Sequence, residues 1–301
     1  MVVECHRCGT IPLNGGYVAA FSPGVDGLLY VLVCMGEQGQ NWIEWTEPND
    51  WRVLAFHPDG WHSEHLVPAQ KASFDLIQPM PNGFLLATRR CQFAGDATSP
   101  NGHVFDFDGR LVRSALLGDG IEQLQTSKSG GIWVSYFDEG IFGNLGWTQP
   151  IGHAGLLRFD AEGNVCFRFQ PVAGLDQIDD CYCLNVVSER EVWCYYYTQF
   201  SIVRICDERV VQHWKCPVAG SSKLAVWRDS VLMQGGYKSD DWKILRLTGG
   251  EAVITEGAIA FVTPDGQILP VRSSTTRGDA VWFVVGDGIY RTEMKSDLSL
   301  L

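Results

Sequence analysis

Short turns alternate along the chain with short runs of β-branched, aromatic and aliphatic residues, and one such run recurs six times. It stands at residues 27–33 (GLLYVLV), 83–89 (GFLLATR) and 131–137 (GIWVSYF), then at 191–197 (EVWCYYY), 230–236 (SVLMQGG) and 279–285 (DAVWFVV). The copies lie about 39 to 60 residues apart, the length that four short strands and their turns require. Each copy has similar neighbours. A strand-like run and a tight turn precede it, as in 74–80, 121–127 and 182–187. A second run ending in an Asp-Gly type of turn follows, as in 51–56, 102–106 and 155–159. Such turns supply the positive φ angles of tight hairpins. A fourth run closes the unit at 110–117, 164–170 and 209–216. No segment sustains an apolar period of 3.6 residues, so long helices are not expected.

Six quasi-equal antiparallel units predict an all-β fold. The expected architecture is a single six-bladed β-propeller domain spanning residues 1–301. The sixth unit shows only three strands, at 271–277, 280–285 and 288–294, before the chain ends. The unassigned run at 2–8 is expected to supply the fourth, so that the N-terminal strand closes the last blade and removes an exposed sheet edge. A β-sandwich fits six equal units less well.

Residues 121–138 (IEQLQTSKSGGIWVSYFD), followed by 155–163 (GLLRFDAEG), resemble one blade of bacterial propellers of the virginiamycin-lyase and sensor-kinase regulator type. They also resemble blades of uncharacterised bacterial proteins. The residues that carry the likeness are structural, so it implies a fold and not an activity. WD-repeat propellers fit poorly, because their Gly-His and Trp-Asp pairs do not recur.

Composition narrows the partners. The formal charge is −12, with 23 Lys and Arg against 35 Asp and Glu. No basic run offsets this, so nucleic-acid binding is not expected. No stretch approaches the roughly 20 apolar residues of a membrane span, and residues 1–10 hold no apolar core of signal-peptide length. A cytoplasmic protein with reduced thiols is the expectation. Of the ten cysteines, Cys34, Cys166, Cys183 and Cys194 lie in apolar runs and read as small buried hydrophobes. Cys5 and Cys8 have the spacing of half a zinc site, but no second Cys-x-x-Cys completes it.

The extra chain falls on one side of the repeat. The long loops 34–50, 90–101 and 138–153 all follow the second strand of a unit, and 172–180 adds a long connection on the same expected face. One-sided insertion is what a binding face on a rigid scaffold produces. Trp42, Trp45, Arg90, Asp138, Glu139, Asn144 and Trp147 in these loops are the candidate ligand-binding residues, since rings and acids together suit a cationic, sugar-like or aromatic ligand. Arg89 and Arg90 are placed to neutralise nearby acids or to grip a carboxylate.

Asp75 and Glu122 take equivalent places at the start of their units' first strands, aimed at the central channel. With Asn185 and Asp180 they are the candidate ligands for calcium or magnesium, which bind oxygen donors. Propellers of the gluconolactonase type hold a metal there with Glu, Asn and Asp, although this chain does not match that pattern position by position. His153 is the candidate general base, as virginiamycin-type lyases use a histidine with a metal, and Glu122 and Asp75 are the other candidate catalytic groups. The expected function is small-molecule binding at the channel mouth, as a lyase or hydrolase with a divalent cation. The alternative is a non-catalytic scaffold that grips a ligand or another protein with its three long loops.

Overall fold

The computed structural model describes residues 1–36, 48–60 and 62–297. Two short strands open the chain, β1 (Val2–Glu4) and β2 (His6–Thr10). The first four-stranded sheet follows, from β3 (Tyr17–Pro23), β4 (Leu29–Cys34), β5 (Asn49–Phe56) and β6 (His62–Gln70). The second contains β7 (Leu76–Met80), β8 (Gly83–Ala87), β9 (Gly102–Asp106) and β10 (Leu111–Ala115). The third contains β11 (Ile121–Thr126), β12 (Ile132–Tyr136), β13 (Leu156–Phe159) and β14 (Val165–Arg168), with a five-residue helix α1 (Asp138–Phe142) between β12 and β13. Next come β15 (Asp180–Val186), β16 (Glu191–Tyr197), β17 (Ser201–Cys206) and β18 (Arg209–Lys215). After them run β19 (Leu224–Trp227), β20 (Ser230–Gln234), β21 (Trp242–Thr248) and β22 (Glu251–Val262). The chain ends in β23 (Ser274–Arg277), β24 (Ala280–Val285), β25 (Gly288–Glu293) and the short helix α2 (Met294–Asp297).

The sheets stand in a propeller-like ring. Their first strands are neighbours in the order β3, β7, β11, β15, β19, β23 and back to β3. The recurrent apolar runs are the second strands, and β4, β8 and β12 are buried along their whole lengths. Buried on both faces, a strand reads as a continuous apolar run without alternation. Apolar layers fill each gap between sheets. Tyr30 and Trp51 meet Phe84 and Phe105, and Leu85 and Ala87 meet Trp133 and Leu157. Further round, Trp193 and Tyr195 meet Leu224 and Val231, and Trp242 and Phe261 meet Val281 and Phe283. The last layer, Trp282 and Ile289 against Leu29 and Phe56, joins the end of the chain to its beginning. Each large side chain so buried contributes about 1.5–3 kcal/mol.

The turns follow from their residues. Asp106 accepts the Asp108 and Arg110 amides on Oδ1 at 3.0 and 2.9 Å, and Gly109 takes φ 76°. A Cβ on Gly109 would stand 1.9 Å from the Leu66 carbonyl oxygen, so the position requires glycine.

Two sequence expectations need correction. The repeat predicts six separate four-stranded units, whereas the ring contains four such sheets and one sheet of nine strands. In that sheet β15-β16-β17-β18 continues into β22-β21-β20-β19, with β1 added on β22. The join is a single residue pair, Lys215 with Glu251. The strand β22 runs to 12 residues and its pairing with β21 is twice irregular, which lets its first residue reach β18. The N-terminus also divides its work. β2 pairs antiparallel with β25, so its residues 6–10 complete that sheet in place of 2–8, and β1 pairs parallel with β22. Cys5, between them, donates its amide to the Val262 carbonyl at 2.8 Å.

Candidate functional site

A cavity of about 270 Å³ lies at the axis of the ring, at the end where the first strands begin. Its apolar wall includes Val18, Ala20 and Phe21 from β3 and Leu76 and Ile77 from β7. Its polar wall carries Asp75, Arg89, Glu122, Lys223 and Arg272. Four of these lie near the start of a first strand, and Arg89 follows the end of β8. Asp75 and Lys223 immediately precede β7 and β19, Glu122 is the second residue of β11, and Arg272 lies two residues before β23.

Buried amides close the far side of the cavity. Gln125, on its wall, donates to the carbonyls of Leu184 (3.3 Å) and Thr276 (3.0 Å) and accepts the Val186 amide at 2.8 Å. Deeper still, Arg277 donates to Gln78 Oε1 at 3.1 Å and to the Thr126 carbonyl at 2.6 Å. Gln78 also accepts the Thr126 amide at 3.0 Å and donates to Ser22. These bonds tie β3, β7, β11, β15 and β23 together across the axis. Burial lowers the Arg277 guanidinium to about 10, yet its hydrogen-bond acceptors hold it in place.

The charges near the mouth are unevenly matched. Asp75 is held by Arg89, whose backbone amide donates to Oδ1 at 2.9 Å and whose Nε lies 3.8 Å from Oδ2. Burial pushes the Asp75 carboxyl up to about 6, against the pull of Arg89. Arg89 also donates to the carbonyls of Ile121 (3.2 Å) and Glu122, which fixes the start of β11. Among the described residues, the side chains of Glu122, Lys223 and Arg272 have neither a hydrogen bond nor an ion pair. Burial lowers the proton affinity of Lys223, and the nearby Cys183 and Glu122 oppose that shift. Beside Glu122 stands Asp180, whose Oδ1 is buried without a partner. Burial, then the charges of Glu122 and Asp138, push the Asp180 carboxyl up to about 7.

Asp75 and Glu122 therefore share the axial cavity, as their places in the repeat imply. Asn185 does not join them. It is fully buried, donates to the carbonyls of Leu224 (2.8 Å) and Gly278 (3.0 Å), and accepts the Gly278 amide at 2.8 Å. Its side chain stitches neighbouring sheets and does not line the axial cavity. Among the described residues, no three His, Cys, Asp or Glu side chains are grouped to hold an ion.

His153 is exposed, with Nδ1 3.3 Å from the Ile141 carbonyl oxygen. It lines a separate hollow of about 80 Å³ with Phe169, Gln170 and Ile178. A proton shuttle between it and Asp75 or Glu122 has no geometric basis.

The loop residues fasten the loops to each other. Arg90 grips the buried Asp119 through Nε (3.0 Å) and NH2 (3.1 Å), reaches Glu139 at 2.6 Å, and lies over the Phe137 ring. A hydrogen bond with Asn144, then the Arg90 contact, keeps the Glu139 carboxyl below its usual range. Trp147 is buried, donates Nε1 to the Cys91 carbonyl at 2.5 Å, and packs on Phe93. Asp138 is exposed and accepts the Glu139 amide at 2.7 Å. Arg90, Glu139 and Trp147 thus join loop 90–101 to loop 138–153. Trp42 and Trp45 lie outside the described residues.

Sequence reading missed Lys223 and Arg272. The signal was available, since both stand where Asp75 and Glu122 stand in their own units. The ring brings these charges together from segments up to about 200 residues apart in the chain.

Fold and cavity together define a β-propeller-type protein with a charged pit at its axis. The solved structures similar to it are of β-propeller type. A chain in the crystal structure of the mitotic checkpoint complex aligns with a TM-score of 0.53 at 9% identity, covering 93% of this chain and 77% of that one. A proposed 6-phosphogluconolactonase from Bacteroides uniformis gives 0.49 at 13% identity, covering 91% and 85%. Hsv2 from Kluyvelomyces marxianus gives 0.49 at 10%, covering 94% and 78%. At such identities the likeness speaks for the fold alone. Residues 156–292 match the YxzG family, a segment that includes Lys223 and Arg272 and leaves out Asp75 and Glu122. No curated protein matches the sequence.

Proposed function

We propose that the protein binds a small polar molecule carrying an acidic group in the axial cavity, on a ring of six blades. The six-blade reading takes the nine-stranded sheet as two four-stranded blades that touch through one residue pair, with β1 as an added strand. Six first strands following one another around the axis support it.

One observation carries the binding reading. Lys223, Arg272 and Glu122 line a single cavity and have no partners of their own among the described residues. Glu122 and Lys223 are half-buried, where charge without a counterion is costly and a bound ligand relieves it, and Arg272 is exposed beside them. The two free cations favour a carboxylate, and the free Glu122 favours a hydroxyl, amine or transferable proton beside it. Lyase or hydrolase chemistry on such a molecule would draw on Glu122 and Asp75 as acid and base. A divalent cation is the weaker proposal, because cations of the protein already line the site.

The test is calorimetric titration with small carboxylic acids such as lactate. Binding is expected in wild type, with a loss of about tenfold or more in Lys223→Met, the scale of one charge-assisted hydrogen bond. Equal affinity in the two proteins would refute the site. Calcium, magnesium and chelator should leave the melting temperature unchanged.

A second reading, as an interaction scaffold, rests on the joined loops, whose Phe142 and Phe93 are 64% and 41% exposed. A protein partner whose capture Phe142→Ser abolishes and Lys223→Met does not would favour it.

A further inference from the structure

Lys223 has a place in the cavity that carboxylate binding alone does not require. Lys223 immediately precedes β19 and lines the same cavity as Glu122, whose charge acts on it together with Cys183. Lys223 has no ion pair among the described residues, and Arg272, on the same wall, is free to take the carboxylate while the amine faces the rest of the ligand. Burial and the charge of Arg89 both favour the neutral amine, the form with a nucleophilic lone pair.

We infer that Lys223 is a nucleophilic amine which condenses with a small carbonyl compound, a 2-oxo acid or an aldehyde acid, to form a Schiff base at the axis. The inference rests on the binding reading above and names its ligand class. The ε-amine gives its proton to Glu122 and attacks the carbonyl carbon. The new C–N bond forms as the carbonyl π electrons move to oxygen, and the proton shed by the now cationic nitrogen passes to that oxygen, giving the neutral carbinolamine while Glu122 keeps its proton. The hydroxyl of the carbinolamine then accepts a proton from Glu122 and departs as water, and the nitrogen lone pair closes the C=N bond. One water is released and nothing is oxidised or reduced. Arg272, on the cavity wall, supplies the positive charge that would hold the carboxylate through the sequence.

The test uses pyruvate as the carbonyl probe with sodium cyanoborohydride, followed by peptide mapping in a mass spectrometer. Lactate, which has the same carboxylate and no ketone, reports on binding alone. Reductive trapping is expected on the peptide holding Lys223, faster than on other lysines by about tenfold or more, the scale of a positioned acid–base group. Lys223→Arg, checked for native circular dichroism, should lose the adduct. Glu122→Gln should slow trapping by about tenfold. Lactate binding without an adduct at Lys223 would overturn the Schiff base and leave the binding site standing. An adduct spread evenly over surface lysines would overturn it too. Neither binding nor adduct would remove both readings.

Discussion

Replacing Asp180 with asparagine should stabilise the protein at pH 8, although the change removes a charge next to the cavity. Oδ1 of this residue is buried without a hydrogen bond, and Glu122 and Asp138 add repulsion of like sign. Its carboxyl is raised from 3.8 to about 7 in the folded state. The folded protein therefore binds more protons than the unfolded chain between those values, and this group makes stability fall as pH rises through that window. One pKa unit corresponds to about 1.4 kcal/mol, so the shift sets a ceiling of roughly 4 kcal/mol. The residue is only half-buried, and solvent screening reduces the expected gain to about 1–2 kcal/mol. Urea denaturation of wild type and Asp180→Asn at pH 8, 7, 6 and 5 measures it. The stability difference should be largest at pH 8 and shrink towards zero as the pH approaches 4. A variant less stable than wild type at pH 8 would mean that the carboxylate has a counterion in the molecule, and the reasoning would fail.

Two further outcomes follow from the hydrogen-bond pattern. Trp147→Phe should cost about 1–2 kcal/mol, because it leaves the Cys91 carbonyl unpaired beneath the joined loops. Thermal denaturation will show this, and a neutral change would mean that the Arg90 contacts and the Phe93 amide bond to the Leu145 carbonyl hold the loops without the indole. Arg277→Met should cost about 2–3 kcal/mol by removing the charged donor to buried acceptors on Gln78 and Thr126, read from the urea midpoint. A gain in stability would mean that the cost of burying the guanidinium outweighs its hydrogen bonds.

Much of the fold was legible because it depends on local chemistry. Runs such as 29–34 and 83–87 are buried along their whole length, and turns such as 106–109 announce themselves by Asp and Gly. What the sequence hid was pairing and partnership. Nothing local in Val2–Glu4 distinguishes pairing with β22 from pairing with β25, since the strand stays largely exposed and its side chains select neither neighbour. Nor does the composition of Glu251 foretell its pairing with Lys215, which follows from the irregular course of β22. At the site, Asp75 and Glu122 were legible from their place in the repeat. Asn185 and Trp147 looked available because sequence shows a side chain's chemistry and not its commitments. Each is consumed by backbone groups at least 39 positions away in sequence. His153 was proposed from a resemblance whose matching residues lie elsewhere.

The split use of the N-terminus has a consequence for how the protein comes into being. Residues 2–10 are synthesised before their partners on β22 and β25, which follow more than 250 positions later. During synthesis this segment must wait as unpaired polypeptide until those strands exist, and only then does the circle lock. Maturation should thus end in one late, all-or-none step, and a bulky fusion ahead of Met1 would burden that step more than an equal fusion at the tail.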